Sequence, residues 1–307
     1  MINLFHVPNY TINTNKFSNM LHDSVVEEFT QQFCEYVGVK YGCALNSASS
    51  AIFLLAKYKR LTFDVPTMIP PVVLNAIYNG GAGYTFIDDP DWIGSSYLLY
   101  NDDFRIIDSA QEVKPIQLYD KDIAIYSFYP TKPVGGCDGG MVVSNNKEII
   151  DWLKILVYDG RAMGNSWEEP HKVVGWKMYM NSIQAYIARQ NLAHLDEKKD
   201  TLKRLRFVYN SAFGLANTSD HLYTIHVKNN IKFINQMKTE GITCGIHYKC
   251  THDLPMYSCQ TGIQDVPKSI LAEQQIVSIP FHEALTSSEI DIVIQKVKQY
   301  VNQYQDK

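Results

Sequence analysis

No two cysteines in this sequence are spaced C-x-x-C. The six it has, Cys34, Cys43, Cys137, Cys244, Cys250 and Cys259, are scattered, so neither a zinc site nor a dithiol redox centre is signalled and reduced thiols are the expectation. Basic residues are also short: the formal net charge is −4, and the densest Lys/Arg run is "KYKR" at 57–60. That balance argues against a nucleic-acid surface. No apolar run approaches the length needed to span a bilayer. The opening "MINLFHVPNYTINTN" lacks the charged and then apolar regions of a secretory signal. Internal repeats and low-complexity stretches are absent too. These absences lead to the expectation of a soluble cytoplasmic protein with no membrane or nucleic-acid partner.

What is present is an ordinary globular composition, 46% hydrophobic and 20% charged, over a length that suits one large and one small core. Val25, Val26, Phe29, Phe33 and Tyr36 recur at helical spacing and stop before Gly38. "YGCAL" reads as a strand leading into "NSASSAIFLLAKYK", where small polar residues open an apolar helix. A loop, a helix ending at Gly80-Gly81 and a strand to Asp88 follow; "FRIIDSAQ", "DIAIYSFY" and "GGMVVSN" are further strands. Residues 147–203 read as mostly helical, interrupted by "GNSWEEPHK", and the tail reads as a small α/β layer. This order predicts an α/β large domain over residues 1–203, with a mostly parallel sheet flanked by helices, and a small α+β domain over 204–307.

The chemistry-bearing stretch is "SFYPTKPVGGCDGG" at 127–140, where a strand delivers Lys132 into a glycine-rich tail. Alone, Lys132 reads as a surface lysine. Three further stretches change that. "ALNSASSAIF" places Ser47, Ser49 and Ser50 at a helix start, where exposed N–H groups and hydroxyls suit a phosphate, although a simple serine N-cap explains most such runs. "RIIDSAQ" ends a strand on Asp108, and ligands of open α/β sheets bind outside the carboxyl ends of strands. Ser127 lies on the strand that delivers Lys132. A phosphate cradle, a carboxylate and an amine together match pyridoxal 5′-phosphate (PLP), which uses a covalently attached lysine and an acid at its ring nitrogen.

The order of these motifs resembles the DegT/StrS group of nucleotide-sugar aminotransferases, fold-type I PLP enzymes, from about Val25 to the C-terminus. The phosphate turn of that family appears as Ser47-Ala48-Ser49, its acid-x-Ala-Gln as Asp108-Ser109-Ala110-Gln111, and its Ser-Phe-x-x-x-Lys as Ser127 through Lys132. "EGITCGIHYKCTHDLPMY" and "IVSIPFHEALTSSEID" resemble its later segments. The resemblance implies that Lys132 holds the cofactor and carries the proton during catalysis. It implies that Asp108 meets the ring nitrogen and Gln111 the ring hydroxyl, and that Ser49, Ser50 and Ser127 hold the phosphate. It also implies that His252 lies near the sugar substrate, and that each site is shared across a homodimer. The implied reaction moves the amino group of glutamate to a 4-keto or 3-keto nucleotide-linked deoxysugar, for polysaccharide or glycoconjugate biosynthesis.

Three departures from the family pattern stand out. Pro70 occupies the place of an aromatic residue that usually stacks on the ring, and a pyrrolidine is a weaker partner than a π-face. Only "DPDWIGSSYLLYNDDF" separates "FID" from the acid motif, too little for a crossover helix and a parallel strand, since such a connection takes a dozen or more residues. One crossover helix is therefore expected to be shortened or missing, with part of one sheet face bare or covered by another segment. In "GWKMYMNS", Lys177 stands for an asparagine that relatives aim at the partner's cofactor phosphate, and Tyr179 for an arginine at the substrate. Two alternatives stay open. One is a PLP-dependent sugar dehydratase of the same fold, although relatives with that chemistry carry histidine in place of the lysine. The other is a non-catalytic homologue that binds a sugar or a partner.

Overall fold

The computed structural model describes residues 1–59, 61–164, 167–257 and 265–305. Cys259 lies outside them, as does part of the polar interruption after Gly164.

The first half of the chain alternates helix and strand. Helix α1 (Val25–Val37) is followed by β1 (Tyr41–Leu45), α2 (Ala48–Lys59), β2 (Thr62–Pro66), α3 (Pro71–Gly80) and β3 (Gly83–Ile87). Strands β4 (Tyr97–Asn101), β5 (Arg105–Asp108), β6 (Ile123–Ser127) and β7 (Gly140–Ser144) come next. Helices α4 (Lys147–Val157), α5 (Ser182–Ala193) and α6 (Leu195–Phe213) follow, then β8 (Tyr223–His226), α7 (Asn230–Thr239), α8 (Pro267–Gln275), β9 (Ile276–Ile279) and α9 (Ser287–Gln305). Local chemistry explains several boundaries. Pro71 opens α3 at a position where a missing N–H costs nothing. The Asn146 side chain accepts from the first amides of α4. Asn181 and Gln184 cap α5 reciprocally.

The main sheet runs β1-β7-β6-β5-β4, with β2 and β3 as a parallel pair alongside β4. The α/β architecture is as the alternation predicts, and the pairing within it is mixed. Strands β5 and β6 run parallel, whereas β1–β7, β6–β7 and β4–β5 are antiparallel. The short link decides this. Strand β4 turns back at Asp102 and Asp103 directly into β5, with no helix between them among the described residues. The outer face of β4 is partly bare, Leu98 being 40% exposed, while Tyr97 and Leu99 point into the core.

Both faces of the sheet centre are covered, which is why β6 and β7 read as continuous apolar runs. Ile123, Ile125 and Val142 face one core, built with α2, α3 and α4. Ala124, Tyr126, Met141 and Val143 face a second core, built with α1 and α5. A third core gathers Leu202, Leu205 and Tyr209 of α6 with β8, α7, β9 and α9. Ile2 joins that core, its amide bonded to the Gly241 carbonyl at 2.7 Å, so the N-terminal residues are pinned beside it. The described cysteines, Cys34, Cys43, Cys137, Cys244 and Cys250, are free thiols, and among the described residues no helix is long and apolar enough to cross a membrane.

Candidate active site

At the carboxyl ends of β5 and β6 a cavity of about 720 Å³ opens between the main sheet and the third core. That is the size range of small-molecule sites. Lys132, Asp108, Gln111, Ser49, Ser127 and Pro70 all line it.

Lys132 is delivered by a tight turn. Its amide donates to the Tyr129 carbonyl at 2.8 Å, with Pro130 pre-setting the turn backbone. The glycines beyond it permit close backbone approach. A Cβ on Gly135 would sit 2.4 Å from the Pro130 carbonyl oxygen, and one on Gly140 would sit 2.4 Å from the Ala48 amide nitrogen. Gly140 therefore lets β7 pass against the start of α2. Between them Asp138 adopts φ 132°, a conformation costly for a side-chain-bearing residue, at the cavity wall.

The electrostatics of the amine follow from burial. Desolvation pulls Lys132 down to about 8, against the opposing pull of the Asp108 carboxylate. Asp108 is itself 4% exposed, and burial pushes its carboxyl upward. Its Oδ1 accepts from the Ala110 amide at 2.9 Å and its Oδ2 from the Tyr97 hydroxyl at 2.7 Å. Gln111 is held at both ends of its amide: Oε1 accepts from the Gly94 amide at 2.8 Å, and Nε2 donates to the Tyr248 hydroxyl at 2.8 Å.

At the α2 start the serines divide their tasks. Ser47 Oγ accepts from the Ser50 amide at 3.1 Å, a side-chain N-cap. The Ser50 hydroxyl donates to Asn46 Oδ1 at 2.7 Å and is not among the lining residues, whereas Ser49 and Ser47 are.

Three other anticipated residues lie away from this cavity. His252 is anchored against the loop before α3, its Nδ1 2.7 Å from Thr67 Oγ1 and its Nε2 3.0 Å from Asp253. Lys177 is exposed, and its backbone bridges to Tyr158. Tyr179 stacks on Tyr158 at 4.8 Å and meets His22 at 4.6 Å, in the wall of a second, apolar hollow beside α1 and α4.

Several lining residues were not anticipated. Trp92 and Tyr97 come from the shortened link, Tyr248 and His247 from the "GIHY" stretch, His221 from the approach to β8, and Phe5 from the N-terminal residues. Tyr248 and His247 belong to "EGITCGIHYKCTHDLPMY", in which the family resemblance implies a role for His252 alone. Trp92 lies nearly parallel to Tyr248, 8° between planes and 5.9 Å between centroids, so aromatic faces stand in the cavity that Pro70 lines. Burial pushes His247 down to about 4 and His221 well below its ordinary value, so both imidazoles are uncharged near neutrality.

The sequence model of the DegT/DnrJ/EryC1/StrS aminotransferase family matches residues 114–298. The chain is 25% identical to the UDP-4-amino-4,6-dideoxy-N-acetyl-beta-L-altrosamine transaminase of Campylobacter jejuni subsp. jejuni serotype O:23/36 (strain 81-176), across 87% of each chain. It is 24% identical to the spore coat polysaccharide biosynthesis protein SpsC of Bacillus subtilis (strain 168), across 90% of this chain and 89% of that one. Among solved structures, the putative sugar aminotransferase Spr1654 from Streptococcus pneumoniae in its PLP form superposes with a TM-score of 0.84. That match covers 98% of each chain at 19% identity, a likeness of fold.

Proposed function

Because the chain belongs to the DegT/DnrJ/EryC1/StrS aminotransferase family, we propose that it transfers the amino group of glutamate to a keto-sugar. The acceptor in this reading is a nucleotide-linked 4-keto or 3-keto deoxysugar, and the product enters polysaccharide or glycoconjugate synthesis. The names of the Campylobacter and Bacillus relatives support that substrate class. The cofactor is pyridoxal 5′-phosphate, and the lining fits it: a buried carboxylate, a desolvated amine, hydroxyls at a helix start and flat aromatic faces share one cavity. When bound, the cofactor supplies an aldehyde that reacts with amines and a ring that accepts electron density.

The observation that carries the reading is the half-buried Lys132, its amine desolvated, shifted to about 8 and placed in one cavity with Asp108. A lysine so shifted has a neutral fraction at neutral pH, and only a neutral Nζ attacks an aldehyde or accepts a proton from a substrate carbon. Asp108 supplies fixed negative charge for a ring-nitrogen cation. Gln111, fixed by Gly94 and Tyr248, presents its amide to the ring edge. Ser47, Ser49 and the α2 amides receive the phosphate, with Ser127 across from them; Ser50 acts through the cap. His221 and His247, uncharged, are polar walls suited to sugar hydroxyls.

Assembly belongs to the same proposal. Lys177 is exposed and does not line the cavity of its own chain, and in the preceding segment Met163, Trp167 and Val174 are 70%, 80% and 82% exposed. In this reading a cytoplasmic homodimer covers these side chains, with Lys177 and Tyr179 serving the partner's site. The test is product analysis with purified protein, glutamate and a panel of keto-sugar nucleotides. Appearance of 2-oxoglutarate with an equal amount of one amino sugar is the expected outcome. Loss of a sugar hydroxyl without amine transfer would mean a dehydratase, and no turnover with any acceptor would favour a binding role.

A further inference from the structure

One tyrosine hydroxyl in the cavity is announced by no motif. Tyr97 opens β4, and the β4–β5 register sets it directly opposite Asp108. Side chains so paired share a face of the sheet at close range. Its hydroxyl donates to Asp108 Oδ2 at 2.7 Å while the Ala110 amide donates to Oδ1 at 2.9 Å. With a donor on each oxygen, the carboxyl plane cannot turn without breaking one bond. The phenol is itself held: Tyr97 is 7% exposed, its ring 4.6 Å from that of Trp92, which in turn lies parallel to Tyr248.

We propose that Tyr97 is a positioning residue of this site, one that fixes the plane of the Asp108 carboxylate and stabilises its charge from the far side of the hairpin. The inference rests on the reading of Asp108 as partner of the cofactor's ring nitrogen.

The charged and titratable groups facing Asp108 come from three elements: Tyr97 on β4, Lys132 in the turn after β6, and Tyr248 in the segment after α7. His221 and His247 line the same cavity on the Lys132 side and are uncharged near neutrality. Burial drives the Asp108 carboxyl toward its neutral form. The Tyr97 hydroxyl, the Ala110 amide and the Lys132 charge oppose it, Tyr97 most strongly. Tyr97 remains a donor throughout, because burial first and the Asp108 charge second hold its own hydroxyl well above the ordinary range. Without that donor, Asp108 takes up a proton nearer neutrality, and a neutral acid cannot stabilise a cation beside it.

The test uses Tyr97→Phe, which keeps the ring and removes only the donor. In the full chain freed of cofactor and labelled with carboxyl-13C aspartate, isotope-edited infrared spectra give the Asp108 titration, assigned by subtraction of Asp108→Asn. The expected midpoint rises by about one pH unit relative to the parent protein. A role confined to packing leaves it in place, and an unmoved midpoint in folded Tyr97→Phe overturns the inference. If circular dichroism shows Tyr97→Phe unfolded, 3-fluorotyrosine at position 97 serves instead. Its more acidic phenol should lower the midpoint, and no change there has the same adverse meaning. A second arm loads the protein with ring-15N pyridoxal phosphate. If Asp108→Asn leaves the ring-nitrogen resonance unmoved, the reading of Asp108 fails and takes this inference with it. If the resonance moves while the carboxyl midpoint ignores Tyr97→Phe, only the role of Tyr97 falls.

Discussion

Lys132 and Asp108 are each desolvated at a cost, Asp108 buried and Lys132 half-buried, and their chemistry comes from the sign of that cost. Desolvation lowers the amine and raises the acid, and the charge of each partially restores the other. An ordinary lysine near 10.4 has less than about 0.1% neutral amine at pH 7, whereas one at about 8 has roughly a tenth. Reductive alkylation of cofactor-free protein, followed by peptide mass spectrometry across pH, should show Lys132 modification levelling off just above pH 8, while surface lysines keep rising toward pH 10. The linkage sign is that of a depressed base. Folding carries the cost of a buried ammonium below about pH 8, and the cost is relieved as pH rises from there toward the unfolded value. Asp108→Asn removes the charge that raises Lys132, so the levelling point should move to lower pH. The same substitution should slow glutamate-dependent transamination by about a hundredfold or more, read as single-turnover kinetics. Near-normal turnover in Asp108→Asn would remove Asp108 from the cofactor's ring nitrogen.

Among the elements, the approach of β7 to α2 and the β4–β5 hairpin both bear on the cavity. Gly140 lies at the first, with room for a hydrogen and no more: a Cβ would meet Ser47 and Ala48 backbone atoms at 2.4–2.7 Å. Gly140→Ala should therefore push the start of α2 outward, costing about 1–3 kcal/mol of stability and weakening cofactor binding at the Ser47–Ser49 turn. Urea denaturation and a PLP titration measure the two effects. A variant that binds PLP as tightly as the parent would show that this close approach does not shape the turn. The hairpin has a different consequence. By replacing a crossover with an antiparallel return, it places Tyr97 and Trp92 in the cavity wall and leaves Leu98 bare on the opposite face.

For the whole molecule, the question is where Lys177 acts. It is exposed and outside its own chain's cavity, while its neighbours Met178 and Tyr179 bond to Asn46 and Leu45 at the entrance to α2. In the proposed two-fold dimer, Lys177 would present a compact charge with three donors to the partner's cofactor phosphate. Lys132→Ala should be inactive, and Lys177→Ala should be poor in cofactor yet folded. Mixing the two under conditions of subunit exchange should restore one site per heterodimer, built from an intact Lys132 of one chain and an intact Lys177 of the other. Exchange demonstrated by mass spectrometry, with no activity regained, would falsify the action of Lys177 across the interface.

Much of this was legible along the chain because its causes are local. The spacing of Val25, Phe29 and Phe33, the proline opening α3 and the apolar runs of β6 and β7 each report an element through its own periodicity or backbone chemistry. The order of Ser47–Ser49, Asp108–Gln111 and Ser127–Lys132 likewise reports strand ends that an α/β sheet collects on one edge, and the shortness of the link after Asp88 reported a missing crossover helix. What was not readable there is that the β4 register would set Tyr97 opposite Asp108, because a pairing across strands leaves no period in either. The convergence of Phe5, His221, His247 and Tyr248 on Lys132 was equally hidden, since residues far apart in the chain meet only when separate cores pack. The seating of Tyr179 against Tyr158 and His22, outside the cavity, was also decided by tertiary contacts, whereas the bonds of Ser50 to Ser47 and Asn46 are local. Sequence by itself determined the elements and the chemical groups at their ends; packing decided which of those groups face one another.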